Sequence, residues 1–196
     1  MQSKITDILQ DAVSSKQRLL GHTEPIERSA RLLIDALAAG RKVLVCGNGG
    51  SAADAQHMAG ELVGRFQKDR PGLPCLALTT DSSIVTACAN DFGYEAVFAR
   101  QVEAMGAAGD VLVGITTSGN SANVVKAFEA AAGAGMKRVA LTGNDGGRVA
   151  TMDGVLSIVV PSCSTQRIQE GHITVIHVLC ELVEDALFGN RPSSHP

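Results

Sequence analysis

The chain has 196 residues, a hydrophobic content of 45% and a formal net charge of −3, enough for one domain, or one domain with an N-terminal helical extension, around a sizeable core. No window supplies the about 18 consecutive apolar residues of a membrane span, and the opening MQSKITDILQD is charged and polar, unlike a signal peptide, so a cytoplasmic protein with no membrane partner is expected. Lys and Arg are scattered, not striped, which argues against nucleic acid, whose affinity comes largely from a basic surface that neutralises phosphates.

Two helical patterns come first, over residues 3–20 and 25–39. Pro25 near the start of the second and Gly40 just past its end follow the usual asymmetry of helix termini. The first carries Ile5, Ile8, Leu9, Ala12 and Val13 on one stripe, which suits either a neighbouring subunit or an ordinary covering role. Five short runs then read as strands: 42–47, 75–79, 111–116, 138–142 and 155–160. Each is nearly continuous in apolar residues, as in strands covered on both faces. Helical patterns over 51–67, 94–105 and 122–134 separate most of them. A last helix is expected over 166–188, with the tail NRPSSHP fraying. Strands alternating with helices predict an α/β fold built on a doubly wound, five-stranded parallel sheet. The five cysteines show no CxxC pairing and lie mostly in apolar runs; they read as small buried hydrophobes in a reducing compartment. One Tyr and no Trp leave little scope for aromatic stacking on sugars or single strands.

In open parallel sheets ligands bind beyond the C-terminal strand ends. There the first strand is followed by Gly47-Asn48-Gly49-Gly50-Ser51 and the third by Thr116-Thr117-Ser118-Gly119-Asn120-Ser121, each opening a helix. Hydroxyls and free backbone N–H groups at a helix N-terminus suit an anion. No Lys follows, so the second loop is not a Walker loop, and the first is not a GxGxxG fingerprint. Such residues also make ordinary turns and caps, but two such loops on adjacent strand ends favour a phosphorylated polyol. His57 and Glu61 lie four apart on one helix face, and Gln169 and His177 eight apart on another. Such pairs can converge on a metal or a substrate, and the spacing alone does not choose.

The motifs GNGGSAADAQHMAGEL, AND, TTSGNSANV, LTGNDGG and RIQEGHITVIH, in this order, resemble those of the phosphoheptose (sedoheptulose 7-phosphate) isomerases, members of the sugar isomerase, or SIS, fold of flavodoxin-like topology. The resemblance covers essentially the whole chain, with HMAGE and RIQEGHITVIH its most specific parts. It implies one Zn²⁺ per subunit on His57, Glu61, Gln169 and His177. It further implies phosphate binding by Thr116, Thr117, Ser118 and Ser121, and sugar contacts from Asn48, Gly49, Gly50, Asn90 and Asp91, with Glu61 and Gln169 also at the substrate. Thr116 stands where relatives often have Ser, and Gln166 where some have Asp; Gln166 is not counted in the site.

The reaction so implied is an aldose–ketose isomerisation of sedoheptulose 7-phosphate to D-glycero-D-manno-heptopyranose 7-phosphate. It opens the route to ADP-heptose and the lipopolysaccharide core, with Glu61 as base and His177 as acid. A homotetramer is implied too, with residues 1–40 serving oligomerisation and 41–196 forming the SIS domain. Two rivals remain open: a non-catalytic SIS tetramer that binds the replication initiator DnaA, and a SIS protein acting on or sensing another sugar phosphate. Glu61 and His177, absent from the first rival, favour the enzyme. His172 reads as packing or support, and Arg65 and Arg70 as solvent-facing.

Overall fold

The computed structural model describes residues 1–189, so the expected fraying of NRPSSHP falls outside the described residues. The central apolar runs become strands covered on both faces. Val43 and Val45 of β1 (Val43–Gly47) point into one core with Ile115, Leu141 and Ile158; Leu44 and Cys46 point into a second with Leu112 and Ala140. With β2 (Cys75–Ala77), β3 (Val111–Ile115), β4 (Lys137–Gly143) and β5 (Val155–Val160), β1 forms an all-parallel sheet in the order β2-β1-β3-β4-β5. The order reverses between β1 and β3. That switch opens the crevice in which ligands of such sheets lie.

Helices α1 (Gln2–Leu19), α2 (Thr23–Ala38), α3 (Gly50–Val63) and α8 (Thr165–Phe188) cover one face, and α5 (Val97–Met105) and α6 (Ala122–Gly133) the other. The first helix differs from the rest. Only Ser15 and Leu19 of α1 are buried, and Ile5, Ile8, Leu9 and Val13 remain exposed. It is tied down by polar contacts: Arg18 donates to the Pro161 carbonyl at 3.0 Å, and Arg167 to the Ile8 carbonyl at 2.9 Å. By contrast α2 buries Ile26, Ala30, Leu33 and Leu37 in the core under the sheet.

Three expectations need correcting. The helix expected over 51–67 ends at Val63, because Gly64 leaves helical geometry and the following segment, with Pro71 and Pro74, folds back. A helix α4 (Ser82–Phe92) stands where none was read, capped by Asp81, whose carboxylate accepts from the Ile84 amide at 3.0 Å. A single turn, α7 (Gly147–Ala150), follows β4. Among the described residues no helix is long and apolar enough to cross a membrane.

Candidate active site

A cleft of about 300 Å³ opens at the switch point. Its walls are the loop after β1 (residues 48–51), the end of β3 and its loop (Ile115, Thr116, Thr117, Ser121), and Thr165 and Gln169 of α8. Three helix N-termini, those of α3, α6 and α8, therefore meet here. None is capped by the side chain of its own N-cap residue: Gly49 has none, and Ser121 and Ser164 make no such bond. Each helix start carries roughly half a positive charge and unsatisfied N–H groups. Among the described residues no Lys or Arg lines the cleft, so an anion here would be attracted by helix ends and hydroxyls. Thr116 and Ser121 place their hydroxyl oxygens 3.0 Å apart across the loop.

The loop after β3 is held by the loop after β4. The Asn144 side chain donates to the Thr117 carbonyl at 3.2 Å, Val149 N–H to the Gly119 carbonyl at 3.0 Å, and Arg148 N–H to the Asn120 side chain at 2.9 Å. Gly119 sits at φ +67, and a Cβ there would lie 1.9 Å from the Gly146 carbonyl oxygen. Only glycine allows the two loops to approach so closely. Exposed Asn120 donates from its side chain to the Ser118 carbonyl at 2.9 Å, while its own N–H donates to the Ser118 hydroxyl at 3.1 Å. Thr116, Thr117 and Ser121 thus face the cleft; Ser118 lies outside its lining, with its hydroxyl occupied by the loop.

Asn48 is fixed by a partner that sequence reasoning missed. Its amide and that of buried Asn123 exchange two hydrogen bonds, both 2.8 Å, and Tyr94 donates to the same Asn48 oxygen at 3.1 Å. Asn90 and Asp91 lie exposed on α4, bonded to each other at 2.8 Å and outside the cleft lining. Thr165 was missed as well, although the strand-end rule, applied to the segment after β5, points to it.

The helix-face pairs do converge. His57 Nε2 lies 3.0 Å from Glu61 Oε1 and 3.0 Å from His177 Nε2. All three donor atoms fall within 4.8 Å of one another. Zinc bound at about 2.0–2.1 Å to nitrogen and oxygen sets tetrahedral ligand edges of about 3.3 Å. Two imidazoles and a carboxylate at this spacing fit such an ion, and the cluster forms a triad able to hold a metal. Gln169 stands at the cleft end of α8, where a Cβ on Gly50 would meet its Nε2 at 2.4 Å. It lies about 12 Å along the helix axis from His177, so a shared ligand requires the two side chains to lean towards each other.

Three other ionisable groups lie near the triad or on its helices, and one of them, Arg70, departs from its sequence reading. Asp54, on α3 before His57, has its pKa raised to about 6 by burial, partly offset by the nearby His57. His172 is fully buried on α8, with its Nε2 3.0 Å from the Thr142 carbonyl and its Nδ1 without a partner. Burial pushes its pKa down to about 4, the Thr142 contact opposing; the supporting role read from sequence matches this placement. Arg70 does not face solvent: it is buried and paired with Glu184 at 2.9 Å.

Comparison with known proteins identifies the family. A SIS domain family model matches residues 5–143. The phosphoheptose isomerase of Trichlorobacter lovleyi is 51% identical over 190 residues, 96% of each chain. The structure of the phosphoheptose isomerase GmhA from Neisseria gonorrhoeae superposes with a TM-score of 0.89 at 45% identity, covering 94% of this chain and 98% of that one. A phosphoheptose isomerase structure from Francisella tularensis gives a TM-score of 0.91 at 37% identity with the same coverage. The chain belongs to the phosphoheptose isomerase family of SIS-domain proteins.

Proposed function

We propose that the chain isomerises sedoheptulose 7-phosphate to D-glycero-D-manno-heptopyranose 7-phosphate. The observation that carries this reading is the pairing of an uncapped three-helix anion cleft with the His57–Glu61–His177 triad, in a chain similar to phosphoheptose isomerases over nearly its whole length. The phosphate is held by Thr116, Thr117 and Ser121, with Ser118 shaping the loop. Asn48, Gly49 and Gly50 meet the sugar, and Asn90 and Asp91 reach it from α4. Glu61 removes the C1 proton of the ketose, which leaves an enediolate; the O1 proton passes to O2 through the enediol, His177 supplies the proton that C2 receives as the aldehyde forms, and the proton on Glu61 returns to His177 through solvent. His57, Glu61, His177 and the Gln169 amide oxygen would hold Zn²⁺, which when bound orients the acid and base and polarises the substrate's carbonyl and hydroxyl oxygens. A carboxylate has two oxygens, so Glu61 can face the ion with one and the C1 proton with the other. This reading places the reaction in the cytoplasm, at the start of heptose supply for lipopolysaccharide. The initiator-binding alternative, lacking the site Glu and the final His, does not suit a chain in which both lie in one triad.

The test is conversion of sedoheptulose 7-phosphate by purified protein before and after chelation, followed by NMR of the sugar. Production of the manno-heptose phosphate, lost on chelation and restored by Zn²⁺, is expected. Absence of turnover with Zn²⁺ restored would reject the isomerase reading.

Oligomerisation belongs to the same reading. The exposed stripe of α1 and an apolar groove of about 370 Å³ between α1, α2 and α8 suit other copies of the chain, with residues 1–40 as the assembling segment on a 41–196 domain. A homotetramer in analytical ultracentrifugation is expected. A stable, fully active monomer would exclude sites shared between subunits.

A further inference from the structure

Glu184 and Arg70 form an ion pair with side chains only 2% and 1% exposed. The Glu184 carboxylate accepts three successive backbone amides of the segment after α3: Phe66 at 3.1 Å, Gln67 at 2.7 Å and Lys68 at 2.9 Å. Burial alone would raise its pKa, but the amides of Gln67 and Phe66, the Arg70 guanidinium and the Lys68 amide outweigh it and hold the carboxyl below its usual range. Arg70 in turn donates to the Leu62 and Glu61 carbonyls, both at 2.8 Å. Both carbonyls lie in the last turn of α3, where intrahelical donors run out; Leu62 also accepts from the Leu73 amide at 2.9 Å, and Glu61 is the residue whose carboxylate enters the triad.

One ion pair thus joins the end of α3, the segment after it, and α8. Glu184 lies seven residues after His177, two turns along the same face of α8. Phe66, held by Glu184, sets its ring 5.9 Å from the His177 ring. The registration of α3 on α8 decides how near Glu61 and His57 come to His177. We infer that Arg70 and Glu184 are positioning residues that hold the two halves of the triad at metal-binding distance; this rests on the reading of His57, Glu61 and His177 as a metal site. A purely structural ion pair would affect stability and leave the metal affinity of the folded protein alone.

The two roles separate when the Zn²⁺ dissociation constant, measured by competition with a chromophoric chelator, is set beside the Tm of the metal-free full chain. Arg70→Lys keeps a charge opposite Glu184 but loses the planar fork that spans the carboxylate and the helix end. It is expected to weaken Zn²⁺ binding about 10-fold or more, the usual effect of removing a ligand's supporting partner. Val102→Ala, in the core on the other sheet face, serves as the control: it should lower Tm and leave Zn²⁺ affinity unchanged. If Arg70→Lys fails to fold, Arg70→Met combined with Glu184→Leu removes both buried charges together, a change that buried pairs often tolerate, and the same loss of affinity is expected. Zn²⁺ affinity within about twofold of wild type in the folded variant, against the 10-fold or larger loss of a true supporting residue, overturns the inference and leaves the metal site standing. A wild-type chain that takes up no Zn²⁺ overturns the metal-site reading and this inference with it.

Discussion

Glu61→Gln is expected to lower turnover of sedoheptulose 7-phosphate by about 10²-fold to 10⁴-fold, the range a positioned general base supplies, while substrate still binds. The substitution keeps the length and the oxygen that lies 3.0 Å from His57, but an amide cannot accept the C1 proton. Phosphate affinity should survive, because the cleft that binds it is built from the helix starts and hydroxyls of other segments. Turnover by NMR, substrate binding by calorimetry and bound Zn²⁺ should be measured on the same preparation. A metal-loaded variant with near-normal turnover would remove Glu61 from the mechanism. Loss of both metal and turnover, with turnover recovered at high Zn²⁺, would reduce its role to that of a ligand.

His172 is expected to make folding stability depend on pH between 6.5 and about 4. Burial depresses its pKa from 6.5 to about 4 in the folded chain, so over that window the unfolded chain takes up a proton that the folded chain refuses. The stabilisation is fully present above pH 6.5 and is lost as pH falls, amounting to about 3 kcal/mol by pH 4. The depressed carboxyls of Glu184 and Asp110 also cost stability on acidification, at lower pH, whereas Asp54, raised to about 6, acts in the opposite sense. Comparison with His172→Gln cancels these shared contributions. Urea unfolding at fixed protein concentration should show the advantage of wild type over the variant shrinking from pH 7 to pH 4. Parallel stability curves would show that His172 does not resist protonation.

The central strands β1 and β3 were legible because each is buried on both faces and so appears as an unbroken apolar run whatever the tertiary detail; the edge strands β2 and β5 are apolar too, but only partly covered. Helix α4 carries apolar residues at helical spacing, Ile84, Val85, Cys88, Ala89 and Phe92, with Asp81 before it and Gly93 after it; it was missed because it is short and none of its residues is fully buried, with only Cys88 and Ala89 packed in part against the core. The pairing of His57 with Glu61 follows from helical periodicity, but their approach to His177 depends on how α3 crosses α8, between residues 120 apart in the chain. A metal could not be read from that spacing; family resemblance supplied it. Arg70 was misread because nothing near it in sequence announces Glu184, 114 residues away. Asn123 and Thr165 look like routine first-turn helix residues, and only packing shows one clasped to Asn48 and the other on the cleft wall.

Because Asn48 and Asn123 occupy each other's amide groups, and Tyr94 takes a further place on the Asn48 oxygen, little side-chain chemistry is left over in this corner of the cleft. What a ligand meets beside it is main chain: the glycines at 49 and 50 and the start of α3. Main-chain atoms are not exchanged by point mutation. A lineage, or a laboratory, seeking to redirect the enzyme to a sugar of different length would find this corner unresponsive. The adjustable positions lie on the opposite wall, where α8 presents the side chains of Thr165 and Gln169.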